Sequence, residues 1–148
     1  MAQMEVFEKI LHVREKEKDD AHREYKQAVD DFETAATELY HLLKEKEDLE
    51  DQLNQNMKRS MSVQEMNSYH QYITQLENKI IRIQSNVQKA RKVMDQKHLV
   101  LNEAYIEMKK FEKVLDHKKE KFQEEIAKNE KNTMDDISVL QFIQKRNR

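Results

Sequence analysis

Apolar residues recur along this chain at alternating steps of three and four, the spacing that keeps one stripe of a helix against one partner. The first run steps through Met4, Phe7, Leu11, Arg14, Lys18, Ala21, Tyr25, Ala28, Phe32, Ala35, Leu39, Leu42, Lys46, Leu49, Leu53 and Asn56, and twelve of these sixteen positions are apolar. The second steps through Met66, Tyr69, Ile73, Leu76, Ile80, Ile83, Val87, Ala90, Met94, Lys97, Leu101, Ala104, Met108, Phe111, Leu115, Lys118 and Phe122, with fifteen of seventeen apolar. A pattern held over so many heptads predicts two long helices wound left-handedly about one seam.

The two runs do not share a phase. Extending the first past Leu53 and Asn56 puts seam positions at Ser60, Val63 and Asn67, whereas the second uses Met66 and Tyr69. The slip falls in Asn54-Gln55-Asn56-Met57-Lys58-Arg59-Ser60-Met61, which holds several poor helix formers. Ser62-Val63-Gln64-Glu65 follows as a capping box, in which the serine hydroxyl accepts from the Glu65 N–H and the glutamate reaches back to the Ser62 N–H. Two readings fit the slip: a turn with a helix restart at Ser62, or a stutter in one continuous helix.

The turn reading predicts an all-α fold, a long two-helix antiparallel coiled-coil hairpin with a short C-terminal helical tail. Its boundaries are helix one at about 3–57, a turn at about 58–62 and helix two at about 63–130, making a hairpin domain over 1–132. At 1.5 Å per residue the helices would run ~80 Å and ~100 Å. Facing pairs would include Phe7 with Phe111, Tyr25 with Met94 and Leu39 with Ile80. The polar seam residues Arg14, Lys18 and Lys46 would face Ala104, Leu101 and Ile73 and snorkel their charges outward. Lys128-Asn129-Glu130-Lys131-Asn132 weakens the helix, and Thr133-Met134-Asp135-Asp136 offers a second N-cap. Residues 133–148 are then either a frayed tail or a short helix with Ile137, Leu140 and Ile143 on one face and Phe142 beside it.

Composition agrees with a narrow seam. The 148 residues include no Gly, Pro or Cys, and 38% are charged. Without Gly and Pro few tight turns are possible, and without Cys a disulfide scaffold is excluded. The net charge is −2, split between residues 1–60 (10 basic, 16 acidic) and residues 61–148 (17 basic, 13 acidic), so an acidic helix can lie beside a basic one. The N-terminus is too charged for a signal-peptide core, and no apolar run approaches the ~20 residues of a membrane span. The expected protein is soluble, intracellular and a monomer when free.

Candidate chemistry is sparse. No glycines are present to cradle a phosphate. The six histidines, His12, His22, His41, His70, His98 and His117, never fall at i,i+4, so no zinc site is expected. Paired carboxylates such as Asp19-Asp20 lie on helices with no cleft to shield them. Neither catalysis nor a cofactor is expected. The basic runs Lys109-Lys110, Lys118-Lys119 and Lys121 are interleaved with Glu112, Asp116 and Glu120, the pattern of a solvated face, with nucleic-acid binding as the other reading. Tyr72 stands one position before the seam, and with Leu76, Lys79 and Ile83 it makes a stripe along one edge. That stripe is either a protein contact or a thickened core margin. Val6, Ile10 and Val13 widen the apolar face near the N-terminus, as Val114 and Ile126 do on helix two.

The residues also resemble a known family. Met61-Ser62-Val63-Gln64-Glu65-Met66-Asn67-Ser68-Tyr69-His70-Gln71-Tyr72-Ile73, followed by Leu76-Glu77 and Ile80, is similar to the post-turn block of the FliJ family, the small coiled-coil proteins of the bacterial flagellar export apparatus. Phe7-Glu8-Lys9-Ile10-Leu11, Lys110-Phe111-Glu112-Lys113 and Met134-Asp135-Asp136 with Phe142 extend the likeness over essentially the whole chain. The resemblance implies a partner-binding protein at the cytoplasmic face of the flagellar basal body. Its implied partners are the export ATPase FliI, the gate protein FlhA and export chaperones. The open end would enter the ATPase ring through Phe7, Leu11, Arg14, Phe111, Lys118 and Phe122. The gate contact would fall on Tyr72, Leu76, Lys79 and Ile83, with Glu38 and Leu42 opposite; Lys79 stands where the family pattern has a small residue. The competing reading is a generic tether or self-associating filament protein, a parallel dimer with one helix running through residue 60.

Overall fold

The structure, a computed structural model, describes residues 2–147; Met1 and Arg148, the outermost residues of the expected hairpin and tail, lie outside the described residues. Helix α1 spans Ala2–Lys58 and helix α2 spans Val63–Arg146, with no strand among the described residues. The two pack against each other as an all-α helical hairpin. Glu5 and Glu65 sit in the first turns and Lys58, Lys145 and Arg146 in the last, each opposing the partial charge of its helix end.

The phase slip is a turn, not a stutter. The Arg59 N–H donates to the Asn56 carbonyl (3.1 Å), closing α1, and Ser60 takes a left-handed φ of 80°. Glycine ordinarily fills that conformation, and a Cβ there costs ~1–2 kcal/mol. The Ser62 hydroxyl then accepts from the Glu65 N–H (3.2 Å), and the Ser62 carbonyl from the Met66 N–H (3.1 Å), which starts α2. Ser60→Gly should therefore raise stability by about 1 kcal/mol in a urea melt, the relieved strain exceeding the added freedom of the unfolded chain. An unchanged midpoint would mean that the Ser60 conformation carries no strain.

Contacts divide the chain into two compact units, residues 19–102 and residues 1–18 with 103–148. In the first, the buried core is Ala21, Ala28, Leu53, Ile73, Leu76 and Ile80; in the second it is Met108 and Leu115. Every seam position named from the heptad pattern is buried or half-buried. In each unit the buried residues all lie on the seam.

Several side chains reach past their expected facing partner. The Tyr25 ring lies 5.1 Å from the His98 ring, Lys46 pairs with Glu77 (3.4 Å), and Lys118 Nζ lies over the Phe7 ring. Helical side chains lean toward the N-terminus of their own helix, so tips that meet belong to residues further from the N-terminus on both antiparallel helices. The polar seam residues do carry their charges to the margin. Lys46 also reaches Glu50 (3.7 Å), and Lys97 pairs with Glu24 (3.0 Å).

The expected break at 129–132 is corrected: α2 runs unbroken to Arg146. The Thr133 hydroxyl donates back to the Asn129 carbonyl (2.9 Å), a bond made inside a helix, instead of capping a new one. No proline or glycine interrupts the stretch. All residues from 123 to 147 are exposed.

Candidate partner-binding surfaces

In the unit of residues 19–102, one edge gathers side chains from both helices. Glu38 and Leu42 of α1 and Lys79, Arg82, Ile83 and Asn86 of α2 line an open groove. Leu42 and Ile83 are half-buried seam residues that make its apolar floor, and the exposed Lys79, Arg82 and Glu38 make a charged rim. Nearer the turn lies a second depression, lined by Tyr72 with Glu45, Leu49 and their neighbours on α1. Of the six residues expected at a gate contact, four therefore line one groove and Tyr72 lines the next. Leu76 does not reach the surface: at 2% exposure it is the most buried core residue and supports the edge from beneath. Arg82 and Asn86 escaped the sequence reading because they are not apolar. Their signal was spacing, since three and then four residues separate Lys79, Arg82 and Asn86 on one helix face.

Tyr72 is also a tie between the helices. Its hydroxyl donates to Glu45 Oε1 (2.8 Å), and this bond together with the glutamate charge raises the phenol above the ordinary value of 10.0. A raised folded value means that the tie is intact below pH 10.0 and is lost as the pH climbs through the shifted value. The difference between alkaline absorbance titrations of the protein and of Tyr72→Phe should show the Tyr72 phenol ionising above pH 10.0. Ionisation at or below that pH would mean that the Glu45 bond does not form in solution.

In the other unit, the residues expected at an ATPase ring are mostly engaged with each other. The Arg14 guanidinium lies 5.4 Å from the Phe111 ring centre and bonds Glu17 (3.0 Å). Lys118 Nζ lies 4.4 Å from the Phe7 ring centre. Leu11 and Phe122 are half-buried on the same seam. Each cation over a ring is worth ~0.5–1 kcal/mol at such exposure. Beside them Val6, Lys9, Ile10, Val13 and Arg14 line an open apolar groove along α1. Further along α2, Met134, Ile137, Val139, Leu140, Phe142 and Ile143 are exposed. At 100° per residue these six side chains point nearly all the way round the helix.

No group of three or more His, Asp or Glu residues that could hold a metal occurs among the described residues, and no described helix is long and apolar enough to cross a membrane.

Comparison with known proteins gives this geometry a context. No solved structure is significantly similar to the chain. The "Flagellar FliJ protein" of Bacillus subtilis (strain 168) is 42% identical over 137 residues, covering 93% of this chain and 93% of that protein. The family model described as "Flagellar FliJ protein" matches residues 4–147. On both grounds, the chain belongs to the flagellar FliJ family.

Proposed function

We propose that the protein is a non-catalytic component of flagellar protein export at the cytoplasmic face of the basal body. In this reading it binds the ATPase FliI with its open end and the gate protein FlhA with the edge groove. It couples the two and assists the recycling of export chaperones. Phe7, Leu11, Arg14, Phe111, Lys118 and Phe122 hold the two helices together where the ring grips them. Glu38, Leu42, Tyr72, Lys79 and Ile83 meet the gate, with Leu76 shaping the surface from below.

The observation that carries the ring assignment is the helix beyond residue 133. Its apolar side chains, Met134, Ile137, Val139, Leu140, Phe142 and Ile143, are spread round the helix between polar ones, and they leave the water only where a partner covers them on several sides. Here no other element of the chain encloses it, since residues 123–147 are all exposed. The bore of a ring surrounds a helix in a way that a flat partner surface does not.

The test is the ATPase rate of the cognate FliI with the full chain, and with a chain ended after Lys128. The full chain should raise the rate and co-purify with FliI; the shortened chain should do neither while keeping its helical signal. Stimulation by both would move the ring contact away from the tail, and no effect of either would overturn the reading.

A further inference from the structure

The turn between α1 and α2 lies inside the 19–102 unit and is made without glycine or proline. Its hold on the chain is slight. The Arg59 N–H bonds the Asn56 carbonyl, the Ser62 hydroxyl caps α2, and Ser60 stands in a conformation that glycine takes more readily. Arg59, Ser60, Met61 and Ser62 are all residues that a helix accepts. A short connection under strain invites exchange, in which α1 of one copy packs on α2 of another. Exchange would forfeit few contacts. Tyr72 with Glu45, Lys46 with Glu77, Tyr25 with His98 and Lys97 with Glu24 each join one helix to the other. Two antiparallel copies could make every one of these contacts twice, and opening the turn would relieve Ser60.

The spacing of the seam on the two sides of the turn opposes this. Leu53 and Met66 are thirteen residues apart, and so are Asn56 and Tyr69. All four are buried or half-buried, and Asn56 Nδ2 donates to the Tyr69 hydroxyl across the seam (3.0 Å). An unbroken heptad seam needs fourteen residues for the same four turns. One residue is ~100° of helix. In a helix running straight through residue 60, the stripe of α2 would therefore begin more than a quarter-turn away from that of α1. A straight partner could cover one stripe or the other. Winding thirteen residues into four turns would need ~3.25 residues per turn, towards the tighter and poorer geometry of a 3₁₀-helix. In the hairpin the mismatch is harmless, because the turn lets each helix face the other on its own terms.

We propose that this one-residue mismatch, rather than the chemistry of the turn, keeps the unit folded back on itself and bars it from exchanging helices with a second copy. The device belongs to the 19–102 unit and stands whatever partners the protein binds.

The test is the full chain with alanines inserted between Arg59 and Ser60. One alanine restores the fourteen-residue spacing. Three alanines fill the turn with better helix formers but set the two stripes on nearly opposite faces. By light scattering over a concentration series, the parent and the three-alanine chain should keep the mass of one copy, 18.0 kDa for the parent. The one-alanine chain should show twice the mass of one copy. Eight alanines, which add a whole heptad to the single one, should again give a dimer. Circular dichroism checks that each chain is helical. Exchange itself is read by crosslinking, since the chain has no cysteine of its own. Copies carrying Glu24→Cys and copies carrying Lys97→Cys, refolded together, should be joined by a short bismaleimide in the one-alanine background and not in the parent. One-alanine and eight-alanine chains that both stay monomeric would overturn the proposal. So would a three-alanine chain that dimerises as readily as the one-alanine chain, dimers that the reagent does not join, or a parent that it does.

Discussion

Leu76→Ala should lower folding stability by about 3 kcal/mol, read as a fall in the urea midpoint at unchanged slope. Leu76 is 2% exposed, and truncating it leaves a hole that only its seam neighbours could fill. A two-helix seam surrounds the leucine with fewer neighbours than a globular core does, which places the loss in the lower part of the ~2–5 kcal/mol range for such changes. Tyr72→Ala, one helical turn away on the exposed edge, should cost under ~1 kcal/mol, the worth of a surface bond. The contrast also bears on function. If Leu76 only shapes the gate groove, Leu76→Ala should lose FlhA binding in proportion to the unfolded fraction. A folded Leu76→Ala protein that no longer binds FlhA would show instead that the leucine touches the partner.

Reversing the charges of the groove rim should have the largest effect on partner binding. Lys79→Glu with Arg82→Glu should weaken FlhA binding by tenfold or more, about 1.4 kcal/mol. Both side chains are exposed on one face of α2, and neither has an ion-pair partner among the salt bridges described. Stability should move by no more than ~0.5 kcal/mol, since surface changes away from packed features rarely do more. Calorimetric titration against FlhA, beside a thermal melt, reads both quantities. Unchanged affinity would place the gate contact elsewhere on the chain.

How much of this was legible in the sequence depends on how locally each feature is determined. The seam was legible in full. From Met4 to Phe122, each residue picked by the three-four spacing is shielded, including the charged Arg14, Lys18, Lys46, Lys97 and Lys118. Spacing along one helix is set by that helix alone. The turn was legible because Ser62 and Glu65 announce the restart, although Ser60 was not, since serine carries no mark of a left-handed φ. Which side-chain tips meet across the seam was not legible, because it depends on how side chains lean and not on where they attach. Thr133 was misread for a related reason. A threonine followed by two aspartates is a fair N-cap, but its hydroxyl can equally turn back to Asn129. The edge groove was half legible: Glu38, Leu42, Lys79 and Ile83 were named, whereas Arg82 and Asn86 emerge only when both helices stand side by side.

The closing of Lys118 over Phe7 has a consequence for the birth of the protein. Phe7 and Leu11 are made long before the residues that cover them. At ~5–20 residues per second, Phe7 and Leu11 wait roughly 5–20 seconds before the part of α2 that covers them exists. During that interval the nascent chain shows an unpaired apolar stripe, while pairing begins at Leu53, Met66 and Ile73 beside the turn, where the loop to be closed is shortest. Synthesis therefore leaves this stripe without its other half until the covering part of α2 is made, so whatever guards that stripe in the cell must act before folding is complete.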